Sequence, residues 1–320
     1  MNLSELTTLK LGGPIGELLT CTTDDELVEA ARSGAFVLGG GSNVVMPDAG
    51  LDRVALVRTT RWFQYGETVV ADAGVPWDWA VEQALSAGRT GFEALSGIPG
   101  TVGAAPIQNI GAYGAEVSSL ITAVTAFDRE ADVVVELAAT ECGFAYRTSR
   151  FKQEPGRWVV LRVAFALPEA PQPIRYAELA RRLDVEVGDT APAERVREAV
   201  LALRRSKGMV LDPEDPDSVS AGSFFTNPLV HQAPEGAPSW PDPSGLVKVS
   251  AAWLIEHSGY GKGWGDGRIG LSSKHTLALV NRGGGTTAEL LDVARVIRDG
   301  VRDRFGVTLI NEPVIVSGAL

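Results

Sequence analysis

The sequence predicts an α+β protein, and three observations do so. Strand-like and helix-like stretches alternate irregularly, without the repeating βαβ pattern of a doubly wound sheet. Two glycine-rich runs, Gly39–Asn43 and Ala94–Ala115, interrupt that pattern where backbone must come close to something. The length of 320 residues suits roughly two domains of ~150 residues each.

The elements follow in order. Asp24-Asp25-Glu26 opens a helix with apolar positions at Leu27, Val28, Ala30 and Ala31. A strand at Ala35–Leu38 runs into Gly39–Asn43. A turn at Pro47–Gly50 precedes a strand at Val54–Val57. A further strand, Thr68–Ala71, leads through Pro76 to a helix from Trp77 to Ala87, closed by Gly88. Strands are predicted at Ile121–Asp128, Val133–Leu137 and Trp158–Phe165, then a loop at Pro168–Pro173. Pro192 starts a helix with Val196, Val200 and Leu203 on one face and Arg204, Arg205 and Lys207 at its C-terminal end. The last third reads as a helix at Ala251–His257, a glycine-rich loop at Gly259–Gly267, a strand at Thr276–Val280 and a turn at Gly283–Gly285. A long amphipathic helix follows, with Leu290, Ala294, Ile297, Val301 and Phe305 on one face. Gly306 ends it, and a strand at Val307–Val316 closes the chain.

Composition excludes several classes. With 45% apolar and 22% charged residues the chain is globular rather than disordered. A net charge of −11 disfavours non-specific binding to nucleic acid or to anionic membranes, so neither is an expected partner. An anionic ligand must then be held by backbone amides and a few placed basic residues. Cys21 and Cys142 form no CxxC pair, and His231, His257 and His275 are scattered, so neither a metal site nor a disulfide is expected. The N-terminal MNLSELTTLKLGG lacks the basic and apolar regions of a signal peptide. Ala94–Ala115 is long enough to span a bilayer, but its five glycines, two prolines, Gln108 and Asn109 do not suit a lipid-facing helix. A cytoplasmic protein is expected.

Three glycines and a serine directly after a strand let Gly39–Asn43 turn sharply and offer N–H groups to a phosphate. A tight strand-to-loop turn is the alternative. The second run is more telling. A window of 22 residues at this composition would hold about five charges, and Ala94–Ala115 holds none. Small residues let backbone lie against a flat apolar body, while Gln108, Asn109 and backbone groups satisfy ring heteroatoms. That is what a fused-ring cofactor needs. Gly283–Ala288 fits GxGxxA, but no βαβ unit surrounds it, so it reads as a turn in which Thr286 or Thr287 caps the following helix.

The pairing of Gly-Gly-Gly-Ser-Asn with GIPGTVGAAPIQNIGAYG resembles the UDP-N-acetylenolpyruvoylglucosamine reductase family. The resemblance continues at Tyr146-Arg147-Thr148-Ser149-Arg150-Phe151-Lys152, at Ala221–Pro228, and at 245–254 and 306–318, in order over essentially the whole chain. It implies an FAD-binding fold of the vanillyl-alcohol-oxidase type. Two α/β subdomains would span 1–60 and 61–207, with 308–320 returning to the second, and a substrate domain would span 208–307. It implies an NADPH-dependent flavoenzyme that reduces UDP-N-acetylglucosamine enolpyruvate to UDP-N-acetylmuramate for peptidoglycan, and a monomer is expected. Another FAD-dependent oxidoreductase of the same fold, such as a sugar alcohol or lactone oxidase, is the alternative; a flavin-binding protein without activity is a third reading.

The resemblance also assigns residues. Gly39, Gly40, Gly41, Ser42 and Asn43 would hold the FAD pyrophosphate. Ile98, Pro99, Gly100, Thr101, Gly103, Ala104, Asn109, Gly111, Ala112 and Tyr113 would line the flavin ring. Ser42 stands where some relatives of this fold carry a flavin-linked His, so the FAD is expected to be non-covalent. Ser223 would protonate the substrate, with Gly222 allowing close approach of backbone. Arg147 and Glu312 would hold the carboxylate and polarise the enolate. Tyr176, Arg204, Lys207, Asn227 and His275 would bind the nucleotide sugar. On residue type alone, Ser223 could be a turn or cap serine, Arg147 a surface ion-pair partner and Glu312 a solvated carboxylate. Likewise Arg204 and Lys207 could be helix-dipole partners, and Tyr176 a core aromatic. Glu312 is followed by Pro313 where the family has an apolar strand residue, which places Glu312 at a strand edge.

Overall fold

In a computed structural model describing residues 1–242 and 244–320, the chain divides into two units built from discontinuous segments. One comprises Ile15–Gly40 and Leu51–Arg205; the other comprises Met1–Pro14, Gly41–Gly50 and Ser206–Leu320.

The first unit begins with a three-stranded parallel sheet in which Leu51–Val57 lies between Ile15–Cys21 and Phe36–Leu38. The helix Asp24–Arg32 starts at Thr23, whose side chain accepts the Glu26 N–H while the Glu26 side chain reaches back to the Thr23 N–H. Its buried positions are the four the spacing predicted, Leu27, Val28, Ala30 and Ala31. A five-stranded antiparallel sheet follows, in the order Val133–Ala138, Ile121–Asp128, Trp158–Ala166, Thr68–Asp72, Trp62–Tyr65. Val69 and Ala71, Val124 and Ala126, Val163 and Phe165 repeat at period two and enter one core. There Phe92 packs at 4.8 Å from Trp77 and 5.1 Å from Phe165. The opposite face carries Phe127, Val159 and Leu161 into a second core with Leu27 and Ala31. The helix Trp77–Ser86 buries Trp77, Ala80, Val81 and Ala84, and the helices Ala177–Leu183 and Ala193–Ser206 form a third cluster.

The second unit is centred on the helix Thr287–Phe305, which buries Leu290, Leu291, Ala294, Ile297 and Val301. Each of these Leu, Ile and Val side chains contributes about 1.5–3 kcal/mol on burial. Truncating the fully buried Ile297 to Ala would cost about 2–5 kcal/mol. Thr286 caps this helix by accepting the Glu289 N–H, and Gly306 ends it at φ 69°. The GxGxxA run is therefore the expected turn and cap. Asp48 accepts the N–H groups of Thr287 and Ala288 at 2.8 and 2.9 Å, and Asn281 Nδ2 donates to the Leu9 carbonyl at 3.0 Å. These bonds explain why 41–50 and the N-terminus belong here.

Several expectations change. The strands Ile15–Cys21, Trp62–Tyr65 and Ile269–Leu271 and the helix Ala177–Leu183 were not predicted. The expected closing strand Val307–Val316 contracts to Val314–Ile315, which pairs parallel with Val44–Val45. Pro313, lacking a donor, stands just before it. The division also differs from the expected boundaries of 1–60, 61–207 and 208–307. Residues 1–14, 41–50 and 308–320 all group with the C-terminal segment. The reason for the last is local: Asn311 bridges Phe225, and Glu312 N–H donates to the Phe224 carbonyl at 2.8 Å.

Candidate active site

In the first unit Gly39 and Gly40, the start of the first glycine run, lie against Gly100 and Thr101 of the second. A Cβ on Gly40 would fall 2.6 Å from Gly100 Cα, and one on Gly39 would fall 2.8 Å from Thr101 Oγ1. One on Gly103 would meet Ala73 Cβ at 2.4 Å. At Gly40 and Gly103 the neighbours are main-chain or Cβ atoms that cannot swing aside, so only glycine fits there. Main-chain bonds stitch the second run to the start of the Trp77 helix: Trp77 N–H to Gly100 O at 3.0 Å, Val102 N–H to Val75 O at 2.9 Å, Gly103 N–H to Ala73 O at 2.9 Å. Asp78 adds an anchor that the sequence reading missed. Its Oδ1 accepts the Gly97 N–H at 2.6 Å, and Arg197 grips both carboxylate oxygens at 2.7 and 2.8 Å. Burial alone would raise the Asp78 carboxyl; Arg197 and the Gly97 N–H outweigh burial and hold it below the ordinary value. An aspartate in the first turn of a helix is ordinary, so no sequence signal marked it.

Further along, Gly111–Ala112 pairs with Ala115–Glu116 around a turn formed by Tyr113 (φ 50°) and Gly114 (φ 82°). Asn109 is buried, and its side chain is engaged by protein groups. Nδ2 donates to Glu116 Oε2 at 2.9 Å and to the Ala145 carbonyl at 3.0 Å, while Oδ1 accepts the Ser118 N–H at 3.1 Å. It shapes the hairpin rather than offering a free amide to a ring. Arg147 sits at the tip of a tight turn closed by reciprocal 3.1 Å bonds between Ala145 and Thr148, with φ 55°. Its guanidinium donates to the carbonyls of Gly111 and Asn109. A Cβ on Gly111 would lie 2.7 Å from Arg147 Nη1, so that glycine makes room for the cation.

Arg204, near the end of the Ala193–Ser206 helix, is 9% exposed. Burial pushes its guanidinium down to about 10; Tyr113 and Asp78 oppose that shift, and Arg147 adds to it by repulsion. It stays cationic at neutral pH. Two guanidiniums that repel each other in a half-dry setting favour an anion. Burial raises the Tyr113 phenol to about 12 and also raises that of Tyr176, so both remain neutral donors. Their rings pack edge-to-face at 5.8 Å.

In the second unit, Ser223 follows Gly222, whose φ is 70°. A Cβ there would meet nothing within 4 Å. The glycine is needed for its left-handed backbone, and no protein atom crowds it. Phe224 and Phe225, both 1% exposed, anchor the segment. Phe224 N–H donates to Leu277 O at 2.6 Å, and its carbonyl accepts the Glu312 N–H. These bonds hold the segment after Ser223 beside both Leu277 and Glu312. Ser223 Oγ lies 3.2 Å from His275 Nε2. Asn227 Oδ1 accepts the Ala251 N–H at 2.9 Å at a helix start, and Lys207 follows the Ala193–Ser206 helix. Gly41 adopts φ 65° and would bring a Cβ to 2.0 Å from the Leu6 carbonyl; Ser42 and Asn43 are half-buried beside it.

The predicted residues therefore fall into two sets. Arg147, Arg204, Tyr113, Tyr176 and the loop from Ile98 to Ala112 lie in the first unit, with Gly39 and Gly40. Ser223, Glu312, Asn227, His275, Lys207 and Gly41–Asn43 lie in the second.

Comparison with known proteins gives this arrangement a family. Residues 19–136 match an FAD binding domain, and residues 213–316 match the C-terminal domain of UDP-N-acetylenolpyruvoylglucosamine reductase. A UDP-N-acetylenolpyruvoylglucosamine reductase of Streptomyces coelicolor is 50% identical over 343 residues, covering 99% of this chain and 90% of that protein. The chain belongs to the UDP-N-acetylenolpyruvoylglucosamine reductase family. The same-named protein of Thermobifida fusca is also 50% identical, with 99% and 97% covered. The crystal structure of the Thermus caldophilus reductase superposes with a TM-score of 0.69 at 27% identity, covering 98% of this chain and 97% of that one. The α+β class, the FAD-binding domain and the family expected from the sequence are those of these reductases. Among the described residues no helix is long and apolar enough to cross a membrane.

Proposed function

We propose that the protein is a cytoplasmic flavoenzyme that reduces UDP-N-acetylglucosamine enolpyruvate to UDP-N-acetylmuramate, with FAD held non-covalently and NADPH as reductant. The observation that carries this reading is the main-chain bond from Glu312 to Phe224, next to Ser223, on a chain 50% identical to curated reductases along nearly its whole length. The glycine contacts fit the cofactor. Gly39–Asn43 would direct N–H groups at its pyrophosphate, and 98–113 would line its ring without a charged side chain. Ser42 offers no imidazole for a covalent link.

When bound, FAD would supply the hydride for the enolpyruvyl carbon β to the carboxylate. The chain does the rest. Negative charge builds on the carboxylate and the α carbon, and Arg147 holds it with a planar, permanently charged fork. Glu312 helps to orient and polarise the same group. Ser223 gives its hydroxyl proton to the α carbon, which completes a two-electron reduction of the double bond. A serine is a weak acid, but a carbanion-like enolate is a strong base. Arg204, Lys207, Asn227 and Tyr176 take the nucleotide sugar, with Tyr176 closing over the diphosphate.

The test is a visible spectrum of the purified protein under anaerobic conditions. NADPH should bleach the flavin, and the enolpyruvyl substrate should restore its colour with UDP-N-acetylmuramate as product. A flavin indifferent to NADPH that instead consumes oxygen with a sugar alcohol would replace the proposal with an oxidase.

A further inference from the structure

His275 is held against Ser223 by more than proximity. The turn that carries it is pinned from both sides. Ser272, fully buried, accepts the N–H groups of Lys274 and His275 at 3.0 and 3.1 Å. Asp217, also buried, accepts the Ser273 N–H and hydroxyl at 2.9 and 2.7 Å. The Ser223 segment is tied to the same turn, because Phe224 N–H donates to Leu277 O and Ala278 N–H donates to His275 O at 3.0 Å. The 3.2 Å contact between Ser223 Oγ and His275 Nε2 is therefore set by main chain on each side.

The chemistry decides the direction of that bond. An imidazole Nε2 that accepts the serine proton makes serine a nucleophile, as in hydrolases. It would turn the proton away from a substrate carbon that must receive it. An Nε2–H that donates to Oγ does the reverse. It leaves the serine proton free to face the substrate, and the bond strengthens as Oγ becomes anionic. We infer that His275 is a positioning residue for Ser223, presenting Nε2–H to Oγ so that the hydroxyl is aimed as an acid and its alkoxide is stabilised. As the O–H bond breaks and the C–H bond forms, the negative charge left on Oγ is held by this N–H until water reprotonates it. The inference rests on Ser223 being the proton donor and replaces nucleotide-sugar binding as the main task of His275.

Two measurements test it. The chain has three histidines, so the side-chain ¹⁵N signals of the holoprotein are separable. His275 should show a protonated Nε2 at neutral pH, and its shift should move in Ser223→Ala; an unprotonated Nε2 overturns the inference. In single turnover, His275→Phe should slow flavin reoxidation by the enolpyruvyl substrate about 10²-fold or more. Flavin reduction by NADPH and substrate affinity should stay within a few-fold. His275→Gln, whose amide N–H reaches a similar position, should recover at least tenfold of the lost rate. Ser223→Ala/His275→Phe should be no slower than Ser223→Ala alone. Additive losses, or a loss confined to substrate affinity, would make His275 an independent binding group and refute the inference. If Ser223→Ala itself reoxidises normally, it is the proton-donor reading that fails, whatever His275 does.

Discussion

Replacing Gly40 tests the glycine contact as a cofactor cradle. An added Cβ would stand 2.6 Å from Gly100 Cα, 3.1 Å from Gly100 C and 3.3 Å from Gly100 N, so it meets main chain and no side chain can swing aside. Carbon atoms rest about 3.5–4.0 Å apart, so Gly40→Ala requires the two runs to part by about 1 Å. Overpacking of this kind costs about 1–3 kcal/mol. If the cradle reading is right, the variant apoprotein can relieve the strain by separating the runs, while FAD binding draws them together. The cost then appears in affinity, as a roughly 5- to 150-fold higher Kd for FAD. Gly40→Val, with two more carbons, should purify nearly colourless. The assay is titration of apoprotein with FAD, followed by quenching of flavin fluorescence. Gly261→Ala is the control, since a Cβ there meets nothing within 4 Å. If Gly40→Val binds FAD like the wild type, or only lowers the apoprotein's Tm, the cradle is disproved. An equal loss in Gly261→Ala would show the effect to be unspecific.

Ser223→Ala should leave reduction by NADPH near normal and slow substrate reduction by about 10²–10⁴-fold; equal losses in both half-reactions would remove Ser223 from the donor role. Arg147→Lys keeps the charge but cannot reach the Gly111 and Asn109 carbonyls with a planar fork, so kcat/KM should fall by roughly 10–150-fold with FAD content intact, and a wild-type value would exclude the role. Buried Asp128 is held down to about 2, chiefly by Arg157, whose Nη2 lies 2.7 Å from its Oδ2. A depressed carboxylate adds stability above its unfolded value of about 3.9 and loses it as pH falls through the folded value. The Tm difference between wild type and Arg157→Gln should therefore be constant above about pH 5 and shrink between pH 4 and 2; a difference independent of pH would show that the ion pair is not its source.

The helices were legible because their signals are local. Thr23 with Glu26 and Thr286 with Glu289 are caps written within four residues, and the spacing of Leu290 to Val301 defines one face. The strands were less so. Ile15–Cys21 pairs along its length yet alternates poorly, since the adjacent Leu18 and Leu19 are both half-buried. Conversely, Val307 and Leu309 are buried while Thr308 and Ile310 are exposed, a period of two with no strand assigned there. Alternation reports extended backbone against a core; it does not report a pairing partner. The site divides in the same way. Its loops were visible as motifs, because absence of charge and abundance of glycine are compositional. The Asp78 anchor on Gly97 and the His275 contact with Ser223 were not, because each joins residues that tertiary packing alone brings together.

Gly40 and Gly222 make the point at single residues. Both precede groups expected to act, and both look like glycines that let backbone approach a ligand. Gly40 is needed for space, because Gly100 occupies the place of a side chain. Gly222 is needed for its φ of 70°, in open surroundings. The two requirements respond to different substitutions. Asn tolerates the left-handed region better than other side chains, and the protein leaves room for it at position 222 but not at position 40. A motif fixes which residue stands at a position; the physical reason depends on what the fold places beside it, and that reason determines which replacement fails.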